Sequence, residues 1–218
     1  MKKILLVVII IIFITLLLPL AIVWLIGGSG EGQSPIESGT VSVYVSEEDC
    51  VKDMDINEYL KCVVAAEMPA DFEEEALKAQ AVAARTYLYS HIAEKDKGNI
   101  AESHNGAAIC TDSTHCQAYI SEDKRRESWG AGAEENWNKI STAVDETTGQ
   151  IMTYNDEIIS AVFHSTSSGI TESAVDVWGA DVPYLQSVAS TGDEESPKYH
   201  SELTLSEQEF KNIAEEKI

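Results

Sequence analysis

An α+β domain carried on a membrane-spanning helix is the architecture this sequence predicts, and three observations predict it. An uncharged, almost wholly apolar run fills residues 4–26. Val41, Val43 and Val45 alternate with polar residues, the period of a half-buried strand. Leu77, Ala81, Ala84, Leu88 and Ile92 recur every three or four residues, the stripe of a packed helix.

The apolar run is 23 residues long, and about 20 suffice to cross the hydrocarbon core of a bilayer. A cleaved signal peptide has an apolar core of only about 7–15 residues, so a span over 1–26 is favoured over cleavage after Gly28 or Gly30. Lys2 and Lys3 lie on its short N-terminal side, which places Met1 in the cytoplasm and everything after residue 27 outside. The predicted location is the cell membrane, single-pass, with an extracytoplasmic domain. Residues 27–40 contain Gly-Gly-Ser-Gly and Gln-Ser-Pro and read as a flexible tether reaching about 20 Å by random-coil scaling. Residues 41–218 have the size of one domain.

Within that domain the strand at 41–45 leads to a turn around 48–53. Asp55 with Glu58 is a capping-box pattern that opens a helix bearing Leu60, Val63, Val64 and Glu67 at helical spacing. Pro69 stops it, and Asp71 with Glu74 repeats the pattern for a second helix running to about Ile92. Residues 95–132 are polar and rich in turn formers, too long for a bare connector. A helix over 134–146 shows Trp137, Ile140 and Val144 on one face. Asn155-Asp156 joins two β-rich runs, 150–154 and 157–163, as a two-residue hairpin turn. Ser206 with Glu209 opens a last short helix.

The formal net charge is −22, and setting Lys2 and Lys3 aside leaves −24 on the rest. That balance argues against nucleic acid as a partner. It also means that an anionic polymer would be gripped by local groups rather than by the overall field. Most of these carboxylates read as a solvated face.

Glu67 stands apart from them. It shares a face with Leu60, Val63 and Val64 and falls in the last turn of its helix. Burial and an unfavourable macrodipole both penalise the anion, which is what a carboxyl group needs in order to act as a general acid. A surface glutamate, or an ion pair with Arg85, fits the same spacing. Glu73, Glu74 and Glu75 would offer a second carboxylate, but acidic residues in a first helical turn commonly complement the dipole.

His104, Cys110, His115 and Cys116 fall within 13 residues and form a two-nitrogen, two-sulfur set suited to a structural zinc ion. Adjacent ligands at 115 and 116 require a tight turn. A disulfide between Cys110 and Cys116 is the alternative in an oxidising compartment. Cys50 and Cys62 read as buried hydrophobes or a second bridge, and His91 as a flank residue of its helix. Phe163 to Gly169 clusters four hydroxyl side chains beside His164, groups able to hydrogen-bond sugar hydroxyls and acetamides. The chain has no Gly-x-Ser-x-Gly elbow to support a serine hydrolase.

The stretch from Glu67 to Tyr87, beginning Glu-Met-Pro, resembles the signature of the stage II sporulation protein D family of peptidoglycan-cleaving lytic transglycosylases. The segments from Cys110 to Tyr119 and from Phe163 to Gly179 are similar to the same family, with Ser168 standing where its first glycine usually stands. The resemblance implies that Glu67 is the catalytic acid and that Arg85 binds a sugar oxygen or carboxylate, or holds the site in shape. Tyr119, His164, Ser165, Thr166 and Ser167 would then contact substrate, and zinc would be held by the four cysteines and histidines named above. It further implies cleavage of the bond between N-acetylmuramic acid and N-acetylglucosamine in denuded glycan strands, giving 1,6-anhydro products during engulfment in sporulation. A cell-wall amidase and a membrane scaffold would be partners. Amidase enhancers carry the same domain, so a non-catalytic activator or scaffold is the alternative, and a metal-dependent amidase or peptidase would require an open metal site. Family members usually continue through a Gly-His-Gly-type motif, so the domain is expected to be C-terminally truncated.

Overall fold

The computed structural model describes residues 39–196 and 199–216, in two compact units that divide after Ala161. The predicted span at 1–26 and all but the last two residues of the predicted tether lie outside the described residues. No described helix is long and apolar enough to cross a membrane. Gly39 and Thr40, placed in the tether by the sequence reading, already belong to the fold: the Gly39 carbonyl accepts from the Ile56 N–H at 3.0 Å.

The first unit is a three-stranded sheet covered by helices, a mixed α and β arrangement as expected. β1 (Thr40–Val45) is central, with β2 (Cys50–Asp55) antiparallel on one side and β3 (Ile109–Cys110) parallel on the other. The predicted turn at 48–53 is mostly strand. β2 is an edge strand whose Val51, Lys52 and Asp53 face solvent, so it lacks the apolar alternation that reveals β1. The reversal is confined to Ser46–Asp49, where Asp49 adopts a left-handed φ of 50°.

α1 (Ile56–Glu67) starts where expected: the Asp55 carboxylate accepts from the N–H groups of Asn57 and Glu58 at 2.9 and 3.1 Å, a cap worth about 1 kcal/mol. Met68 ends it in extended conformation ahead of Pro69. α2 (Glu74–Asp96) has Glu73 rather than Asp71 at its N-cap position, without a side-chain cap bond, and runs one turn beyond Ile92. Glu74 and Glu75 pair with Lys78, in keeping with a first-turn role rather than a catalytic one. α3 (Glu122–Trp129) lies inside the stretch that reads as turns, and α4 (Ala133–Glu146) follows it directly. β4 (Thr153–Tyr154) and β5 (Glu157–Ile158) close the predicted hairpin, with Asn155 and Asp156 both at positive φ, 51° and 64°.

The core fills the space between sheet and helices. Val43, Leu60, Val63, Val64, Leu77, Ala81, Ala84, Leu88, Ile109, Ile140 and Val144 are fully buried, and each large aliphatic side chain among them contributes about 1.5–3 kcal/mol of burial. The alanines of α2 let α1 and α4 approach closely.

The second unit, from Val162, is less regular. Ile170 bridges Ala189, and the Thr171 N–H donates to the Val188 carbonyl at 2.8 Å. α5 (Ala174–Trp178) is capped by Ser173, and α6 (Glu207–Glu216) by Ser206, whose own N–H donates to the Glu209 carboxylate at 2.8 Å. That last contact completes the predicted capping box. The strand predicted to reach Phe163 ends at Ile158.

Candidate functional site: an acidic helix end and a donor cluster

Glu67 is the last residue of α1 and is half-buried. Its Oε1 accepts from the backbone N–H of Ala118 at 2.7 Å. That bond restrains one of the two carboxylate oxygens. The contact also fixes where the carboxylate points, and it comes from the loop carrying the cysteines and histidines.

That loop brings all four predicted donors together. Nε2 of His104 lies 3.1 Å from Nδ1 of His115 and 3.2 Å from Sγ of Cys116. Nδ1 of His115 is 3.4 Å from Sγ of Cys116 and 3.6 Å from Sγ of Cys110. All four donor atoms fall within 4.8 Å of one another. A tetrahedral ion about 2.0–2.1 Å from nitrogen and about 2.3 Å from sulfur has ligand-to-ligand edges of about 3.3–3.8 Å. Four of the six edges, 3.1–3.6 Å, come close to those of such a cage.

Local structure explains how residues close in sequence converge. His104 ends a short 3₁₀ turn, and Asn105 and Gly106 reverse the chain with φ of 48° and 84°. Cys110 is fixed on β3, opposite Tyr44 of β1. The Asp112 carboxylate then accepts from the N–H and hydroxyl of Thr114, while its carbonyl accepts from the N–H groups of His115 and Cys116. This is the tight turn that adjacent ligands require.

Burial and the neighbouring rings of His115 and His91 push the His104 imidazole below its usual range, which favours the neutral, ligating form. Burial pushes the Cys116 thiol up to about 12, so a thiolate there calls for a cation. Cys50, Cys62, Cys110 and Cys116 are all free thiols; neither the alternative Cys110–Cys116 disulfide nor a second bridge is formed. His91 is more than a flank residue. It lines, with His104 and His115, an open cavity of about 540 Å³.

Arg85, expected to bind a sugar oxygen or carboxylate or to hold the site in shape, is engaged by groups of the fold. It is 1% exposed and donates to the carbonyls of Thr147 and Val144 at 2.6 and 2.9 Å, to the Thr147 hydroxyl at 3.2 Å and to Asn57 Oδ1 at 3.3 Å. Those carbonyls are orphans of the C-terminal end of α4. Arg85 therefore fastens α1 and α2 to α4, and burial lowers its pKa.

Tyr119 is half-buried, stacked on Tyr59 with ring centroids 5.8 Å apart, and its hydroxyl faces Met54. It also lines a cavity of about 600 Å³ with Lys52, Thr111 and Lys124, a surface that sugar hydroxyls could contact. In the second unit, His164, Thr166 and Ser167 line a cavity of about 370 Å³ with Phe163 and Trp178. Ser165 is exposed. Ser167 is committed internally, its N–H and hydroxyl both donating to Asp193, and the Thr166 hydroxyl meets Ser196 at 3.2 Å. The left-handed conformation of this loop falls on Gly169, at φ 94°, and not on Ser168, so a serine at 168 is tolerated.

An acidic helix end presented by a loop that a four-donor cluster organises, on a mixed α and β core, defines the class of domain. Residues 44–154 match the family described as Stage II sporulation protein, and the chain belongs to that family. It is 39% identical over 178 residues to Stage II sporulation protein D of Bacillus amyloliquefaciens, covering 82% of this chain and 50% of that protein. It is 39% identical over 184 residues to Stage II sporulation protein D of Bacillus subtilis (strain 168), covering 84% of this chain and 52% of that protein. The Amidase enhancer of Bacillus subtilis (strain 168) is 36% identical over 151 residues, 69% of this chain and 17% of that protein. The chain thus spans about half the length of the two sporulation proteins.

Proposed function

We propose that this domain is a lytic transglycosylase of peptidoglycan in sporulation, with Glu67 as its acid and then its base. The observation that carries the reading is the carboxylate of Glu67, at a helix end, aimed by the N–H of Ala118. In the first step Glu67 gives its proton to the glycosidic oxygen as the bond from C1 of N-acetylmuramic acid breaks. It then takes the proton of the muramic 6-hydroxyl as O6 bonds to C1, which yields the 1,6-anhydro sugar with no water consumed. One carboxyl group suffices for both steps, whereas hydrolysis usually needs two flanking the bond.

The donor set of two imidazoles and two thiols suits zinc among available cations. Bound there, the ion would neutralise two thiolates and stiffen the loop. The chain's own contribution is the short path from Cys116 to Ala118, which ties the cluster to the carboxylate. The apolar run at 4–26 would hold the domain at the outer membrane surface, close to nascent wall. Denuded glycan is the expected substrate, with a cell-wall amidase and a membrane scaffold as partners.

Incubation of the full chain with denuded glycan strands, followed by mass spectrometry, tests the reading. Anhydro-ended products that vanish in Glu67→Gln are expected; unchanged turnover in that variant would remove Glu67 from the chemistry. The relative named Amidase enhancer supports a second reading, activation of an amidase. Intact glycan together with a faster partner amidase would favour it. Peptide release by this chain alone would indicate an amidase instead.

A further inference from the structure

The cavity of about 600 Å³ beside Tyr119 is ringed by two lysines and two glutamates. Lys124 of α3 reaches across to Glu47 in the Ser46–Asp49 reversal, and Lys52 of β2 pairs with Glu48 at 2.6 Å. All four side chains are open to water, between 44% and 74% exposed. Exposed pairs of this kind contribute little to stability, so their charged ends are free to take other partners.

The wall beneath that rim is apolar and firmly held. Val45 is buried, and Met54 and Ile120 pack against the core. The Ser46 N–H donates to the Thr111 hydroxyl at 3.0 Å, and the Ile120 N–H donates to the Cys62 carbonyl at 3.4 Å. Two hydroxyls are left for a ligand. Ser121 stands at the N-cap position of α3 without a side-chain cap bond, and the Tyr119 hydroxyl meets the Met54 sulfur at 4.0 Å, a weak acceptor.

Two positive groups against two negative ones leave the rim neutral, in a chain whose formal net charge is −22. An anion pairing with Lys124 would displace Glu47 and leave that carboxylate beside it as a like charge, and a cation pairing with Glu47 would do the same to Lys124. A zwitterion avoids both costs, because its carboxylate takes the ammonium and its own ammonium takes the released carboxylate. The apolar floor favours small aliphatic side chains between the two ends, and the volume is that of a small-molecule site. The geometry points to a site for a short peptide with free amino and carboxyl ends, its carboxylate on Lys124 and Lys52 and its ammonium on Glu47 and Glu48. Amide cleavage releases peptides of this class when a strand is stripped of its side peptides. The source of the ligand, though not the site, rests on the wall reading above.

Titration calorimetry of the full chain in detergent, with trialanine as the probe, supplies the test. Saturable one-to-one binding is expected, and N-acetyl-trialanine and trialanine amide, each missing one charge, should bind about 10-fold more weakly. Lys124→Gln should weaken trialanine about 10-fold without further weakening trialanine amide. Glu47→Gln should weaken trialanine without further weakening N-acetyl-trialanine, a crossed pattern that a general disturbance of the fold would not produce. Lys211→Gln, which breaks an exposed pair on α6, is the control and should change nothing. Absence of saturable trialanine binding, wild-type affinity in both Lys124→Gln and Glu47→Gln, or equal binding of the peptide blocked at both ends would overturn the inference. Chitotriose competing with trialanine as strongly as trialanine itself would assign the cavity to glycan and overturn it too. Trialanine affinity should be unchanged in Glu67→Gln, so this site and the proposed chemistry of Glu67 fail separately.

Discussion

Glu67 and Arg85 stand on consecutive helices and look alike in sequence, each a lone charge on an otherwise apolar or alanine-rich face. Their surroundings are opposite. Arg85 is enclosed, with its guanidinium shared among two carbonyls, a hydroxyl and an amide. Glu67 is half-open, and one backbone N–H holds one of its oxygens. A side chain whose hydrogen-bonding capacity is spent on its own fold has little left for a ligand. One restrained at a single atom keeps a second oxygen for chemistry.

Mutations can break this contrast. The largest effect is expected on turnover: Glu67→Gln should lower the rate of anhydro-sugar formation by about 10²–10⁴, the usual worth of a positioned acid or base, with urea unfolding shifted by less than about 1 kcal/mol. Arg85→Met should do the reverse. Stripping several buried acceptors of their donor should cost about 3–5 kcal/mol in urea unfolding, and Lys should rescue poorly because it lacks the planar fork. Full stability with lost turnover in Arg85→Met would move that residue into the chemistry and erase the contrast.

Between the two junctions, α1 carries Cys62, whose thiol burial pushes up to about 11. A folded pKa above the unfolded value favours the folded state fully below about pH 9. That advantage is lost as pH climbs through the folded value. Unfolding midpoints should hold steady to about pH 8.5 and fall by at most about 2–3 kcal/mol of stability towards pH 11, at about 1.4 kcal/mol per unit; Cys62→Ala should flatten that decline. The smallest effect sharpens the picture at the start of the helix. Asp55→Ala removes the cap beside Asn57, an Arg85 partner, and should cost about 1 kcal/mol while leaving turnover unchanged.

Periodicity revealed β1, α1, α2 and α4 because each buries one face, whereas the Asn155-Asp156 turn residues marked the hairpin, whose short strands are largely exposed. β2 and α3 escaped it for a shared reason. β2 is an edge strand with its polar side chains outward, and α3 buries none of its residues. Instead α3 is held by ion pairs from Arg126 to Glu122 and Glu134 and by Arg125 over the Trp129 ring, contacts that leave no hydrophobic stripe. The donor cluster was legible from residue types alone. The role of Arg85 was not, because its acceptors are backbone carbonyls more than fifty residues away, and any sequence supplies those. The surroundings of His91 are hidden in the sequence for a similar reason: only the full length of α2 and the reversal at Asn105 and Gly106 bring its ring within 6.1 Å of His104.

The pairing of Val43 with Ile109 and Tyr44 with Cys110 is only two residues long, yet on the proposed metal reading it would set an order of assembly. A peptide spanning 104–116 would contain every donor but not the β1 wall that seats one of them, and closing that distant contact costs chain entropy. Cobalt colour should therefore develop after the far-ultraviolet helical signal during refolding, and the isolated peptide should hold cobalt more weakly than the whole chain. Capture of the ion would then act as a checkpoint, reporting that remote parts of the polypeptide have already met.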